Sequence, residues 1–426
     1  MEFGLASCHG REAEFHRIRA MHHTTQYLQS DYTAEKGIEI GVLVHHILTD
    51  AIQAGASDVH IEPWENTIVV RLRLSGVLTE LVHLPLDLME KISGRFKVMA
   101  NLISYQTGLP QEGHASGGPE LGGVELRISV FPTTRGEKIV VRLFDPRNRS
   151  FNLSTLGFDE SVERQWLKLL ARPSGLLLLT GPTGSGKTTA IYSSLHQIVQ
   201  RTGPAVSIST VEDPVEFNLP MISQAQINPV QDFTYPKALR SLMRQDPQVI
   251  MIGEIRDPET ANIAVQAGLT GHLVISTIHS GIAAGVFARL INMEIEPFLL
   301  ASSIIGILSL RLVRKNCPDC LQPYSPEEGV LKMMPGDEIE HARFLKGAGC
   351  ARCSDTGFQG RTALTELLVP DEVFRDAALQ RLPTRALQDI AIQQGMQTMW
   401  MDGIHRVVRG ETTLEEIVRV VAADQI

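Results

Sequence analysis

Gly181-Pro182-Thr183-Gly184-Ser185-Gly186-Lys187-Thr188-Thr189 interrupts the chain one residue after the apolar run Leu176 to Leu179. The spacing fits G-x-x-x-x-G-K-[ST], and each residue type has a chemical reason. Glycines let backbone N–H groups turn inward around a β-phosphate, and a helix starting at Lys187 presents its positive end to the same anion. Lys187 would reach the β/γ oxygens, and the Thr188 hydroxyl would ligate Mg²⁺. The loop therefore predicts a bound nucleoside triphosphate.

Two acidic clusters follow, each at the end of an apolar strand. Glu212, Asp213 and Glu216 follow VSIST, and Glu254 and Asp257 follow VIMIG. In an open parallel sheet the crevice lies at the carboxyl ends of strands. Both clusters are expected there, facing the γ-phosphate, where carboxylates hold Mg²⁺ and orient the attacking water. The second strand ends in Gly253-Glu254, not in the aspartate usual at such a site, so which acid holds metal and which aligns water stays open. His272 and His279 bracket the next strand, in HLVISTIHS. They are read either as structural residues or as sensors of the γ-phosphate.

Four of the five cysteines form two C-x-x-C pairs, Cys317/Cys320 and Cys350/Cys353. Four thiolates suit one closed tetrahedral Zn²⁺ site, structural because no position is left for water. The separation exceeds the usual ribbon spacing, so the intervening residues must form an excursion. A redox pair would need only one of the two motifs. Cys8 is read as an idle thiol.

These groups need elements to hold them. Apolar residues from Ile40 to Ala54 follow a helical period, and Gly55 is placed to end that helix. Ile68, Val70, Leu72 and Leu74 alternate with polar neighbours, and Ser75-Gly76 turns the chain into a second strand. Leu86 to Leu102 reads as helix, and VELRISVF and EKIVVRLF as a hairpin joined at Pro132 to Gly136. From Ser161 onward helices alternate with short apolar strands, which implies a parallel sheet covered on both faces. Phe298 to Leu310 reads as a buried helix, too short and too rich in serine to span a membrane. Near the carboxyl end, Thr413 with Glu416 forms a capping box.

The expected organisation is an arm without clear periodicity (1–36), an α+β domain (37–147) and a polar linker (148–159). An α/β core (160–314), a cysteine region (315–362) and a helical tail (363–426) follow. A chain of 426 residues accommodates this, with 43% hydrophobic and 20% charged residues. The net charge of −9 argues against a general affinity for nucleic acid backbone. No secretory signal pattern is visible at the start, which points to the cytoplasm.

GPTGSGKTT, VEDPVEF, RQDPQVIMIGEIRDPETA, TGHLVISTIHS and CPDC…CARC, in that order, resemble the secretion ATPase superfamily. The nearest branch is the type II secretion and type IV pilus assembly ATPases. SDVHIEP (Ser57 to Pro63) and GLPQEGH are similar to that family's N-terminal domain, which more usually has Asp and Arg where this chain has Glu112 and His114. The resemblance implies a PAS-like α+β domain, a RecA-like ATPase core and a tetracysteine zinc-binding insertion. It implies a homohexameric ring that hydrolyses ATP with Mg²⁺ and acts on inner-membrane platform proteins, as a cytoplasmic protein peripheral to that membrane. It assigns Glu212 and Glu216 to an Asp box, Glu254 to a Walker B box, and His272 and His279 to a His box. Arg127 and Arg142 fall where the family places arginines at the phosphates; taken alone they read as outward strand residues. Arg240 and Arg244 are weaker candidates for that charge. Retraction motors of the superfamily generally lack the cysteines, which favours assembly.

Family members usually carry a further N-terminal domain that docks on the platform, whereas fewer than 40 residues precede Ile38. A truncated gene, a diverged start, or docking through the PAS-like domain alone would each account for this. The competing reading is a DNA-uptake or conjugation-type ATPase with the cysteine region as its DNA-binding module, against which the acidic balance and the lack of a basic, aromatic-rich stretch count. A non-hydrolysing ATP-binding regulator would require a broken catalytic set, and the set is complete.

Overall fold

The computed structural model describes residues 23–30, 38–144, 151–353 and 355–421. The chain divides into two compact units. One comprises residues up to 149 together with 317–321 and 347–359; the other comprises the rest. Cys8 and most of the expected amino-terminal arm lie outside the described residues. Within that arm His23–Ser30 forms a helix, α1, whose first amide groups are capped from outside. The buried carboxylate of Asp50 accepts from the backbone N–H groups of His23 and Thr24.

The first unit is a six-stranded sheet with α2 (Ile40–Gln53) and α3 (Met89–Met99) against one face. Its strands are β1 (Asp58–Pro63), β2 (Ile68–Leu74), β3 (Val77–Leu84), β4 (Gln111–Ser116), β5 (Glu125–Thr133) and β6 (Gly136–Phe144). They are ordered β3-β2-β1-β6-β5-β4, with every neighbour antiparallel. Alternation sorts the side chains. Val59, Ile61, Val70, Leu72, Ile128, Val130, Ile139 and Val141 join Leu43, Ile47, Leu48, Ile92 and Phe96 in one apolar core. The opposite face is polar. Ser75 and Gly76 both adopt positive φ, as a two-residue hairpin turn with matching twist requires. Strand β4 begins within the GLPQEGH segment, at Gln111, and has no apolar alternation to announce it.

The second unit holds a seven-stranded sheet. It uses β7 (Gly175–Thr180), β8 (Ile208–Glu212), β9 (Ser223–Gln226), β10 (Val249–Ile252), β11 (Leu273–Ile278) and β12 (Ile304–Asn316). Two short strands, β13 (Leu321–Pro323) and β14 (Leu345–Gly347), pair with each other, and β15 (Phe358–Leu368) completes the large sheet. The order is β15-β12-β7-β11-β10-β8-β9, and the ladders from β12 through β9 are parallel.

Both faces of this sheet are covered, which explains its uninterrupted apolar strands. Leu176 and Leu178 pack on one side with Ala261, Ala264 and Val265. Leu177 and Leu179 pack on the other with Trp166, Ile191 and Leu195. Burying each such leucine stabilises the fold by about 2 kcal/mol. The helices of this unit include α4 (Glu160–Leu170), α5 (Lys187–Thr202), α6 (Tyr235–Leu242), α7 (Pro258–Leu269), α8 (Gly285–Asn292) and α9 (Pro297–Ser303), and the carboxyl-terminal part adds Glu372–Leu379, Thr384–Gln393, Met399–Val408 and Leu414–Val421. Asp159 starts α4 by accepting the Ser161 N–H at 3.0 Å.

The run Phe298 to Leu310 is not one helix. Helix α9 stops at Ser303 and β12 begins at Ile304. The β-branched residues Ile304, Ile305 and Ile307 favour the extended chain, and a short apolar run carries no period that separates the two states. Gly306 sits where a Cβ would meet the Leu169 side chain at 2.6 Å, so strand and α4 approach closely. The Thr413 cap is present, accepting the Glu416 N–H at 3.2 Å. The Glu416 carboxylate does not return to Thr413; it binds Arg314 and Arg419.

Candidate active site

The loop 181–186 leaves the carboxyl end of β7 and turns into α5. Gly181, Gly184 and Gly186 have φ of +142°, +77° and +94°, which side chains rarely adopt. A Cβ on Gly181 would lie 2.4 Å from the Leu310 carbonyl oxygen, so this turn accepts only glycine. The Lys187 ammonium donates to the carbonyls of Gly181 and Pro182 at 2.7 and 2.9 Å, which holds it over the loop. Burial lowers its pKa from the ordinary lysine value, with Arg311 adding to the effect and Glu254 opposing it.

Strands β8, β10 and β11 end beside β7, since all four are parallel and in register. The acids they deliver have different surroundings. Glu216 lies beyond β8, and its Oε1 accepts from Thr188 Oγ1 at 3.4 Å. Glu254 follows β10, has a side chain only 14% exposed, pairs with Arg256, and lies 3.8 Å from His279 Nε2. Glu212 is buried at the tip of β8 and accepts from Tyr192 Oη, from Thr210 Oγ1 at 2.6 Å and from Gln224 Nε2 at 3.0 Å. Asp257 is engaged by its own helix. It caps α7 by accepting from the Thr260 N–H and hydroxyl at 2.8 and 2.7 Å.

The two histidines part company. His279 follows the carboxyl end of β11, by Glu254. His272 precedes the amino end, where its Nδ1 is 3.1 Å from the Ala267 carbonyl. Six residues of extended chain, about 20 Å, separate them. Only His279 joins the side chains gathered beside the loop.

Two tyrosines belong to the site that motif reading passed over. Tyr192, on α5, bridges Glu212 and the Glu216 backbone. The Tyr235 hydroxyl lies against Gly253, where a Cβ would approach it to 2.7 Å. Burial first, then the charges of Glu254 and Asp213, push its pKa well above that of a free phenol. The glycine before Glu254 thus makes room for this ring.

In the first unit Arg127 and Arg142 are directly cross-strand on β5 and β6. They belong to one polar row, Arg73–Asp58–Arg142–Arg127–His114, read across five strands. Arg142 Nε donates to Asp58 at 3.0 Å, and Arg127 donates to Glu112 at 2.9 Å. Like charges placed opposite would repel, and each carboxylate offsets that. Arg240 pairs with Glu259 between α6 and α7.

The four cysteine Sγ atoms lie within 4.8 Å of one another. Cys317–Cys350 and Cys320–Cys353 are 3.8 Å apart and Cys350–Cys353 is 3.7 Å, too far for disulfides. A tetrahedron with bonds of about 2.3 Å has edges of about 3.8 Å, so the donor set fits zinc. The Cys350 and Gly357 N–H groups donate to Cys353 Sγ at 3.2 and 3.3 Å. Asp319 and Arg352, inside the two C-x-x-C arches, pair with each other at 2.9 Å.

Comparison with known proteins shows the family. Residues 33–419 match the family described as Type II/IV secretion system protein. The type II secretion system ATPase E of Vibrio cholerae is 41% identical over 380 residues, 89% of this chain and 74% of that one. The type IV pilus assembly ATPase PilB of Myxococcus xanthus is 42% identical over 390 residues, 90% and 68% of the two chains. Among solved structures, the ATPase DotB of Legionella pneumophila shares the fold at TM-score 0.65 and 20% identity, covering 88% of this chain and 94% of that one. A pilus retraction motor, PilT, solved with ADP, matches at TM-score 0.58 and 25% identity, covering 88% and 96%. The chain belongs to the type II/IV secretion system protein family and is one of its ATP-hydrolysing enzymes.

Proposed function

We propose that this enzyme is a homohexameric motor whose ATP hydrolysis drives pseudopilus or pilus assembly, and with it export, in a type II secretion or type IV pilus machine. The observation that carries the reading is the meeting of Lys187, Thr188, Glu216, Glu254 and His279 at the carboxyl ends of parallel strands. The names of the 41–42% identical relatives supply the machine. Inner-membrane platform proteins are the proposed partners, met from the cytoplasmic side; among the described residues no helix is long and apolar enough to cross a membrane.

The loop amides and Lys187 hold the β- and γ-phosphates. Thr188 and Glu216 would hold Mg²⁺, which supplies charge neutralisation at the phosphates when bound. Glu254 orients the attacking water and takes its proton as the bond between the γ-phosphorus and the ADP oxygen breaks. His279 senses the γ-phosphate through Glu254. Arg127 and Arg142 add positive charge to the transition state, exchanging their carboxylate partners for phosphate oxygens. The cysteines would hold a structural zinc. Replacing Lys187 with Ala in the producing strain tests the whole: turnover and pilus or secretion output should vanish together, and output that persists without turnover would remove the motor reading.

A further inference from the structure

Tyr192 sits one helical turn beyond Thr188 on α5, so the two side chains share a face of the helix. Its ring is fully buried and fixed edge-on between Phe151 and Phe217, with centroids 5.5 and 6.4 Å away. Its hydroxyl has two partners. It donates to the Glu212 carboxylate and accepts the backbone N–H of Glu216 at 3.3 Å. Among the described residues, the Glu212 oxygens accept from Tyr192, Thr210 and Gln224.

The segment after β8 is held throughout by side chains rather than by a ladder. Gln226 Oε1 accepts the Val215 N–H at 3.2 Å, and Gln224 Oε1 accepts the Leu219 N–H at 2.6 Å while its amide donates to the Phe217 carbonyl at 2.9 Å. Tyr192 supplies a further tie, at the residue whose carboxylate meets Thr188. The loop is thus tied at 215, 216, 217 and 219, around the residue that carries the carboxylate.

We infer that Tyr192 is a positioning residue for the hydrolytic reaction: its hydroxyl, oriented by the buried Glu212 carboxylate, fixes the Glu216 backbone so that the Glu216 carboxylate stands against Thr188. Glu212 then acts through Tyr192 and not on the substrate. This rests on the reading of Glu216 as the acid that works beside Thr188 at the metal.

Tyr192→Phe keeps the ring and its packing and removes only the hydroxyl. Steady-state turnover of the full chain should show kcat reduced by about tenfold or more, KM for Mg-ATP within about twofold, and a several-fold higher Mg²⁺ concentration for half-maximal rate. Combined with Glu216→Gln, the second change should cost little more, because both disable one carboxylate. A purely structural tyrosine would instead lower the melting temperature, leave the Mg²⁺ dependence unchanged and give multiplicative losses in the double variant; that result overturns the inference. Glu216→Gln with unimpaired turnover would remove the underlying reading, whereas an impaired Glu216→Gln beside a fully active Tyr192→Phe sinks only the role of Tyr192. If the phenylalanine variant does not fold, Glu212→Gln, which keeps an acceptor for the hydroxyl, must show the same non-additivity with Glu216→Gln, and simple multiplication there would refute the proposal equally.

Discussion

The Thr188 hydroxyl, in the first turn of α5, and the Glu216 carboxylate, beyond β8, stand 3.4 Å apart. A hydroxyl one residue past the phosphate-loop lysine and a carboxylate at that distance form the start of a hard-cation site, for which oxygen ligands are suited. Thr188→Ala should therefore raise the Mg²⁺ concentration needed for half-maximal turnover by about tenfold or more, while the fold is kept. Titrating magnesium at saturating ATP measures this; an unchanged midpoint would argue that Thr188 has no part in holding metal.

Arg127 and Arg142 are cross-strand neighbours, each with its own carboxylate. If their task is to neutralise charge that develops on the phosphates, Arg127→Ala or Arg142→Ala should lower kcat on the order of 10³-fold and barely change stability. Loss of melting temperature with normal turnover would mean that the row only holds the sheet together.

Protein purified without added metal should carry about one zinc per chain. Cys317→Ser should abolish that content and lower the melting temperature by several degrees, since binding free energy at such a site is folding free energy. Elemental analysis of fully reduced protein that finds no metal would remove the site.

Glu416 provides a pH-dependent contribution to stability. Burial opposes its ionisation, but bonds from Arg419 and Arg314 outweigh this and hold its pKa down to about 2, against 4.5 ordinarily. The unfolded chain therefore takes up this proton first, so the contribution is complete above about pH 4.5 and is lost as the pH falls toward 2. It amounts to roughly 3 kcal/mol. Urea unfolding between pH 5 and 2.5 should show Glu416→Gln losing less stability with acid than the parent; parallel curves would contradict this origin.

The features legible in the residues are those governed by short-range rules. Leu176 to Leu179 reads as a strand buried on both faces because alternate leucines enter different cores. The glycine loop and the paired cysteines carry their chemistry in their spacing. The surroundings of Glu212 are not legible in the residues, because its donors, Tyr192, Thr210 and Gln224, come from three separate segments, and a tyrosine within an apolar helix face looks like packing. Asp257 did carry a signal: Asp-Pro ahead of a helix is an N-cap followed by proline at the first turn. His272 could also have been placed, since it precedes its strand while the loop follows β7, and parallel strands put those ends apart.

Glu254 offers the most direct measurement of the hydrolytic mechanism. Glu254→Gln keeps size and shape but cannot take a proton from water. It should bind Mg-ATP within about threefold of the parent while its turnover falls by 100-fold or more. A glutamine variant that binds and also turns over within about twofold of the parent would contradict the account.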